Sequence, residues 1–102
     1  MFNNKTDQRD IPENTIYLRK LPIDEALLNL EQYLDKVFVA GLANIRVVHG
    51  KGTGQMKSAV RKLLSNHPLV KSYREGYMGE GDAGVTVVEM ENRWDKTVLN
   101  DS

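Results

Sequence analysis

The chain has 102 residues, of which 40% are hydrophobic and 27% charged. That is one ordinary domain, and it excludes wholesale disorder, collagen and coiled coil. It has no cysteine, which excludes a disulfide scaffold, a zinc finger, an iron–sulfur centre and a thiol nucleophile. Net charge is zero but unevenly distributed: residues 1–35 carry −3, residues 36–74 carry +8 with no acidic residue, and residues 75–102 carry −5. Gathered on one face, the middle stretch would create the positive field that attracts an anionic partner. Spread over a solvated surface, it would not. No apolar run approaches the roughly 20 residues that span a bilayer, and Met1-Phe2-Asn3-Asn4-Lys5 lacks the apolar stretch of a signal peptide. A soluble, cytoplasmic protein with no membrane partner is expected.

In chain order, residues 1–14 are polar and read as a leader, residues 15–91 as the domain, and residues 92–102 as a polar tail with Trp94 docked back. Thr15 to Arg19 alternates with a strand period. Ile23, Ala26, Leu27, Leu30, Leu34, Val37 and Phe38 follow one helical face. Pro22, Asp24 and Glu25 suit its start, and Gly41 its stop. Asn44 to His49 is a second strand. A second helix opens at Gly54 or Gln55, turns Met56, Ala59, Val60, Leu63 and Leu64 inward, leaves Lys57, Arg61 and Lys62 on its outer flanks, and ends at Asn66-His67-Pro68. Val70 to Met78 is a third, less buried strand. Gly79 to Gly84 turns the chain, and Val85 to Met90 is an apolar strand expected at the centre of the sheet. The order β-α-β-α-β-β, with right-handed crossovers, predicts an α/β two-layer sandwich: a four-stranded mixed sheet packed on two helices.

The sharpest local feature is His49-Gly50-Lys51-Gly52-Thr53-Gly54, between a strand and a helix. Three glycines let backbone amides approach a ligand, and the helix N-terminus adds positive charge, so phosphate is the natural guest. A Walker A loop would need Gly-Lys-Ser/Thr at its end, and a dinucleotide fingerprint a different glycine spacing and a doubly wound sheet; neither is present. A glycine turn without a ligand is the plainer reading, but His and Lys within it exceed what a turn requires. The first two strands are parallel, so Arg19 and His49 end at the same sheet edge, where open α/β sheets bind ligands. Arg19, His49, Lys51 and the loop amides are therefore expected to converge on one phosphate. Arginine supplies two donors, and histidine can move a proton near neutral pH.

These segments together resemble the Smr (small MutS-related) domain family. Its pattern of Leu-Asp-Leu-Arg/His-Gly, a Glu-Ala-Leu helix, His-Gly-Lys-Gly-x-Gly and Gly-Gly-x-Gly-x-Thr-x-Val appears here in four blocks. These are Ile16-Tyr17-Leu18-Arg19-Lys20, Glu25-Ala26-Leu27, His49 to Gly54 and Gly81 to Val88. The resemblance implies a fold similar to the C-terminal domain of translation initiation factor three. It also implies nucleic-acid binding, with DNA or RNA endonuclease activity in many members and links to DNA repair and recombination. Three positions depart from the pattern: Tyr17 stands for the family's Asp, Lys20 for its Gly, and Asp82 for a later Gly. Tyrosine, with a pKa near 10, cannot replace a carboxylate as base or metal ligand at neutral pH.

Two readings follow. In the first the chain is an endonuclease hydrolysing phosphodiesters, with His49, Arg19 and Lys51 as its catalytic residues. No His, Asp or Glu cluster has metal-ligand spacing, and Mg2+ or Mn2+ is left open as its cofactor. In the second it is a non-catalytic DNA- or RNA-binding or protein-interaction module. Its nucleic-acid contacts would be Tyr17, Arg19, Lys20, His49, Gly50, Lys51, Gly52, Thr53, Gly54, Lys57 and Arg61. Tyr17 would stack on a base. The nucleic acid could be branched or single-stranded.

Overall fold

The structure is a computed structural model and describes residues 12–79 and 82–92. Most of the expected leader and tail, including the docking of Trp94, lies outside the described residues. The elements are β1 (Thr15–Tyr17), α1 (Ile23–Ala40), β2 (Asn44–Val48), α2 (Gln55–Ser65), β3 (Val70–Glu75) and β4 (Val85–Met90), with a short 3-10 turn at Asp82–Gly84 before β4. This is the predicted order. The sheet order is β1-β2-β4-β3, with β1 and β2 parallel and β4 antiparallel to both its neighbours. The most apolar strand is central, as its composition predicts.

Helix α1 ends at Gly41, whose φ of 81° is easy only for glycine; its N–H and that of Leu42 bond to Phe38 and Val37 carbonyls. Residues ahead of β1 are tied in: the Arg46 N–H bonds to the Asn14 carbonyl, and the Tyr33 hydroxyl donates to the Glu13 carbonyl. Burial, with the Glu13 carboxylate nearby, pushes the Tyr33 phenol up to about 12.

Both helices lie on one side of the sheet. Ala26, Leu30, Leu34 and Val37 of α1 pack with Val60 and Leu64 of α2 over Leu18, Ile45, Val47, Val88 and Met90. Truncating a buried leucine of this cluster costs about 2–5 kcal/mol. The pleat then assigns the remaining strand residues. Ile45, Val47, Thr86 and Val88 face the helices. Arg46, Val48, Val85 and Val87 face the other side, which is helix-free among the described residues.

Three strands are shorter than predicted, β2 by the single residue His49. β1 stops at Tyr17 because the chain bends: the Leu18 and Arg19 N–H groups both reach the Val48 carbonyl, and Lys20 adopts φ 73°. β3 stops at Glu75, after a last ladder bond from the Gly76 N–H to Val85. Tyr77 and Met78 continue the apolar pattern but are exposed, since no layer among the described residues covers them. The basic stretch does not gather on one face. Arg46 and Arg74, in register with Val87, lie on the helix-free side, whereas Lys57 and Arg61 lie on α2 and Lys71 pairs with Glu89 at 3.7 Å.

Candidate nucleic-acid interface

The loop from His49 to Gly54 is anchored at both ends. The His49 and Gly50 N–H groups both donate to the Gly84 carbonyl, at 3.1 and 3.0 Å. This ties the loop to the chain entering β4. Gly50 has φ 80°, and a Cβ there would lie 3.5 Å from Arg19 Cβ, so the loop passes directly beside Arg19. Gly54 caps α2 with φ 90°, and Thr53 Oγ1 accepts the Gln55 N–H at 3.3 Å. The first turn of α2 carries no acidic side chain to neutralise the helix dipole.

Arg19, Val48, Gly50, Lys51, Gly52, Gly84 and Val85 line a cleft of about 500 Å³. Val48 and Val85 are register partners on the helix-free side, so the cleft opens there. Arg19 and Lys51 are exposed in it. Tyr17 pairs with Val48 in the ladder, is 66% exposed and flanks the cleft, and the exposed Lys20 follows Arg19 at its edge.

His49 does not join them. It is only 4% exposed and points to the helix-covered side. Its ring nitrogens lie 2.8 Å from the Gly50 carbonyl oxygen (Nδ1) and 2.8 Å from Thr86 Oγ1 (Nε2). A carbonyl can only accept, so Nδ1 carries the proton and Nε2 accepts the Thr86 hydroxyl. Thr86 Oγ1 in turn receives Arg61 Nε–H at 3.4 Å. Arg61 continues to Glu75, Nη2 to Oε1 at 3.6 Å, and lies 5.9 Å from the Tyr73 ring centre. Lys57 Nζ holds the same carboxylate oxygen at 2.9 Å. That hydrogen bond and charge, with Arg61 adding to them, keep the Glu75 carboxyl below the usual range. Burial lowers the His49 pKa, and the charges of Arg61 and Lys57 lower it further against the Gly50 bond and Glu75. Near neutral pH the imidazole is therefore uncharged, which suits the donor–acceptor order of the chain.

The expected convergence on one phosphate thus divides between the two sides of the sheet. Arg19, Lys51, Gly50 and Gly52 meet at the cleft, with Tyr17 and Lys20 beside it. His49 braces the loop from beneath. Lys57 and Arg61, expected on an outer flank, are drawn to Glu75; Arg61 reaches inward to a buried threonine. Thr53 and Gly54 build the turn into α2 and do not line the cleft. Sequence reasoning quoted Gly84 and Thr86 within the Gly81–Val88 block but gave them no role, and it missed the structural role of Glu75. Thr86 had two signals: it falls on the Thr of that motif, and it is a polar residue on the buried period of an apolar strand. Among the described residues no group of three His, Asp or Glu gathers to hold a metal ion. The cleft's side-chain charges are cationic and fit an anion.

The Smr domain family matches residues 16–91. The chain is 46% identical over 76 residues to Endonuclease MutS2 of Caldicellulosiruptor saccharolyticus, covering 74% of this chain and 10% of that protein. It is 53% identical over 73 residues to Endonuclease MutS2 of Pelotomaculum thermopropionicum, covering 72% and 9%. It therefore spans about a tenth of the length of these relatives. Among solved structures, the Smr domain of Thermus thermophilus MutS2 superposes with a TM-score of 0.75 at 39% identity, over 78% of this chain and 99% of that one. YdaL, a stand-alone small MutS-related protein from Escherichia coli, shares the fold with a TM-score of 0.74 at 21% identity, over 88% and 74%. With the two-helix, four-stranded mixed sheet and the family match over most of its length, the chain belongs to the Smr domain family.

Proposed function

We propose that this chain binds DNA or RNA by seating a backbone phosphate in the cleft between Arg19 and the His49–Gly54 loop. The observation that carries this reading is the meeting of Arg19 and Lys51 in one cleft floored by glycine backbone and two valines. Arg19 can hold a phosphate through two parallel N–H donors, and Lys51 adds a point charge. Gly50 and Gly52 place no side chain between the ligand and the main chain. His49 serves by holding the Gly50 carbonyl inward, which turns the loop toward Arg19.

A second reading, cleavage of the bound phosphodiester, is favoured by the name Endonuclease that the MutS2 relatives carry. In it Arg19 and Lys51 would stabilise the charge of the pentavalent phosphorus. His49 would be the general acid or base. Its burial, and the engagement of both ring nitrogens, support the positioning role instead. Tyr17, where the family pattern has Asp, supplies no carboxylate.

One gel experiment tests both. Labelled branched DNA, duplex DNA and single-stranded RNA are incubated with the protein in EDTA, Mg2+ or Mn2+, beside Arg19→Ala and His49→Ala. Retarded, intact substrate that is released in the Arg19 variant is the expected result. Cleavage lost in His49→Ala would establish the nuclease reading. No retardation at low salt would overturn the binding reading.

A further inference from the structure

We propose that the helix-free side of the sheet beside the cleft is a single-strand platform, on which an unpaired base stacks against Tyr17 while its neighbouring phosphate occupies the cleft. The proposal rests on the phosphate reading above and names the ligand class it serves.

Three observations carry it. First, Tyr17 is 66% exposed at the end of β1, and its register partner Val48 and next neighbour Val85 both line the cleft. Neighbouring strands lie about 4.8 Å apart, so the ring stands one strand away from the phosphate seat. Arg19, two residues on, lines the same cleft, so base and phosphate contacts arise from one short segment.

Second, the opposite end of the same sheet edge carries another planar surface. Tyr77 follows β3, is 65% exposed, and has the Arg74 guanidinium 4.1 Å from its ring centre. Three strand spacings, about 14 Å, separate the β1 and β3 ends of this edge, a length that suits a few extended nucleotides.

Third, this side carries cations among its valines: Arg46 and Arg74 flank Val87 in the ladder, and Glu89, the carboxylate further along β4 on this side, is ion-paired with Lys71. Cationic groups interleaved with exposed rings are how proteins hold single strands without reading sequence. A duplex keeps its base faces covered by neighbouring bases, so only an unpaired strand can offer one to Tyr17.

The test is fluorescence anisotropy with three labelled probes: a 12-nucleotide oligo(dT), the matching oligo(U) and a blunt duplex. Wild type is compared with Tyr17→Ala, Tyr17→Phe and the double variant Arg19→Ala/Lys51→Ala. Tyr17 is exposed, so its variants fold, which a thermal melt checks. We expect wild type to favour the single strands. Tyr17→Ala should lose about 5- to 100-fold of that affinity and leave duplex binding within about 2-fold. Tyr17→Phe should keep it, because the ring and not the hydroxyl stacks. The oligo(dT) and oligo(U) arms separate DNA from RNA. An equal effect of Tyr17→Ala on every probe, or none on any, would overturn the platform while leaving the cleft intact. Undiminished binding by the double variant would overturn the phosphate reading itself, whatever Tyr17 does.

Discussion

His49 Nε2 and Thr86 Oγ1 lie 2.8 Å apart beneath the glycine loop, joining β2 to β4 across the side of the sheet that carries the helices. The pair is buried, so its hydrogen bond has no solvent substitute. Thr86→Val keeps the shape but leaves His49 Nε2 and Arg61 Nε facing a methyl group. The variant should lose about 1–3 kcal/mol of stability, read as a lower urea midpoint at unchanged slope. Thr86→Ser should recover most of it.

The same pair sets a pH dependence. Burial lowers the His49 pKa in the folded chain below its ordinary value of about 6.5, which the unfolded chain retains. Below that pH the unfolded state binds a proton that the native state refuses. Stability is therefore complete above about pH 6.5 and is lost as pH falls through the folded pKa of His49. NMR titration of the imidazole should give a midpoint below 6.5. Urea midpoints of wild type should fall between pH 7.5 and 5.5, and the His49→Gln variant should show a weaker dependence.

Two lysines of the basic stretch should behave differently. Lys51 lines the cleft, whereas Lys57 is held 2.9 Å from Glu75 on the other side of the sheet. Lys51→Ala should weaken nucleic-acid binding several-fold at about 0.1 M salt and reduce the slope of log Kd against log salt by about one. Lys57→Ala should leave that slope nearly unchanged. Equal slopes for the two variants would mean that the cleft is not where phosphate is held.

Lys20 holds a left-handed φ of 73° at the position where the family pattern has glycine. That conformation costs a side-chain-bearing residue about 1–2 kcal/mol, set against the greater freedom glycine has when unfolded. Lys20→Gly should raise stability by up to about 1 kcal/mol. Lys20→Ala, which removes the charge but keeps the strain, should not. The difference between them isolates the backbone contribution from the electrostatic one.

Gly50 offers the converse experiment. A Cβ there meets Arg19 at an ordinary contact distance of 3.5 Å, so the penalty of Gly50→Ala is conformational rather than steric, from φ 80°. We expect a loss of about 1–2 kcal/mol and weaker binding, because relaxing φ moves Lys51. Gly84→Ala, whose Cβ would sit 3.6 Å from Gly50 and whose φ is not left-handed, should cost less in a thermal melt.

The fold was readable because its signals are local. Leu30 and Leu34 repeat at helical spacing, Ile45 and Val47 at strand spacing, and Gly41 stands where a left-handed cap is needed. The end of β3 was not readable, because Tyr77 and Met78 extend the alternation with no layer to bury them. The cleft was half readable. That Arg19 and Lys51 share a sheet edge follows from two parallel strands. That His49 turns to the opposite side from the cleft follows from pleat parity, which convergence at an edge does not reveal. Arg61 read as an outer-flank residue because its spacing ignores its reach; its long side chain arrives at Thr86, 25 positions away in the chain.

The two walls of the cleft differ in how firmly the sheet holds them. Lys51 and Gly50 extend from β2, which is paired on both sides. Arg19 extends from β1, a three-residue strand that among the described residues lies at the sheet edge and pairs with β2 alone. Local opening frees an edge before an interior strand. Amide hydrogens of Leu18 and Arg19 should therefore exchange with solvent sooner than those of Val47 and Val48. A bound phosphate bridging the walls would slow exchange chiefly on the Arg19 side. The cleft thus has an anvil and a jaw, and a phosphate seated in it would spend part of its binding energy on steadying the jaw.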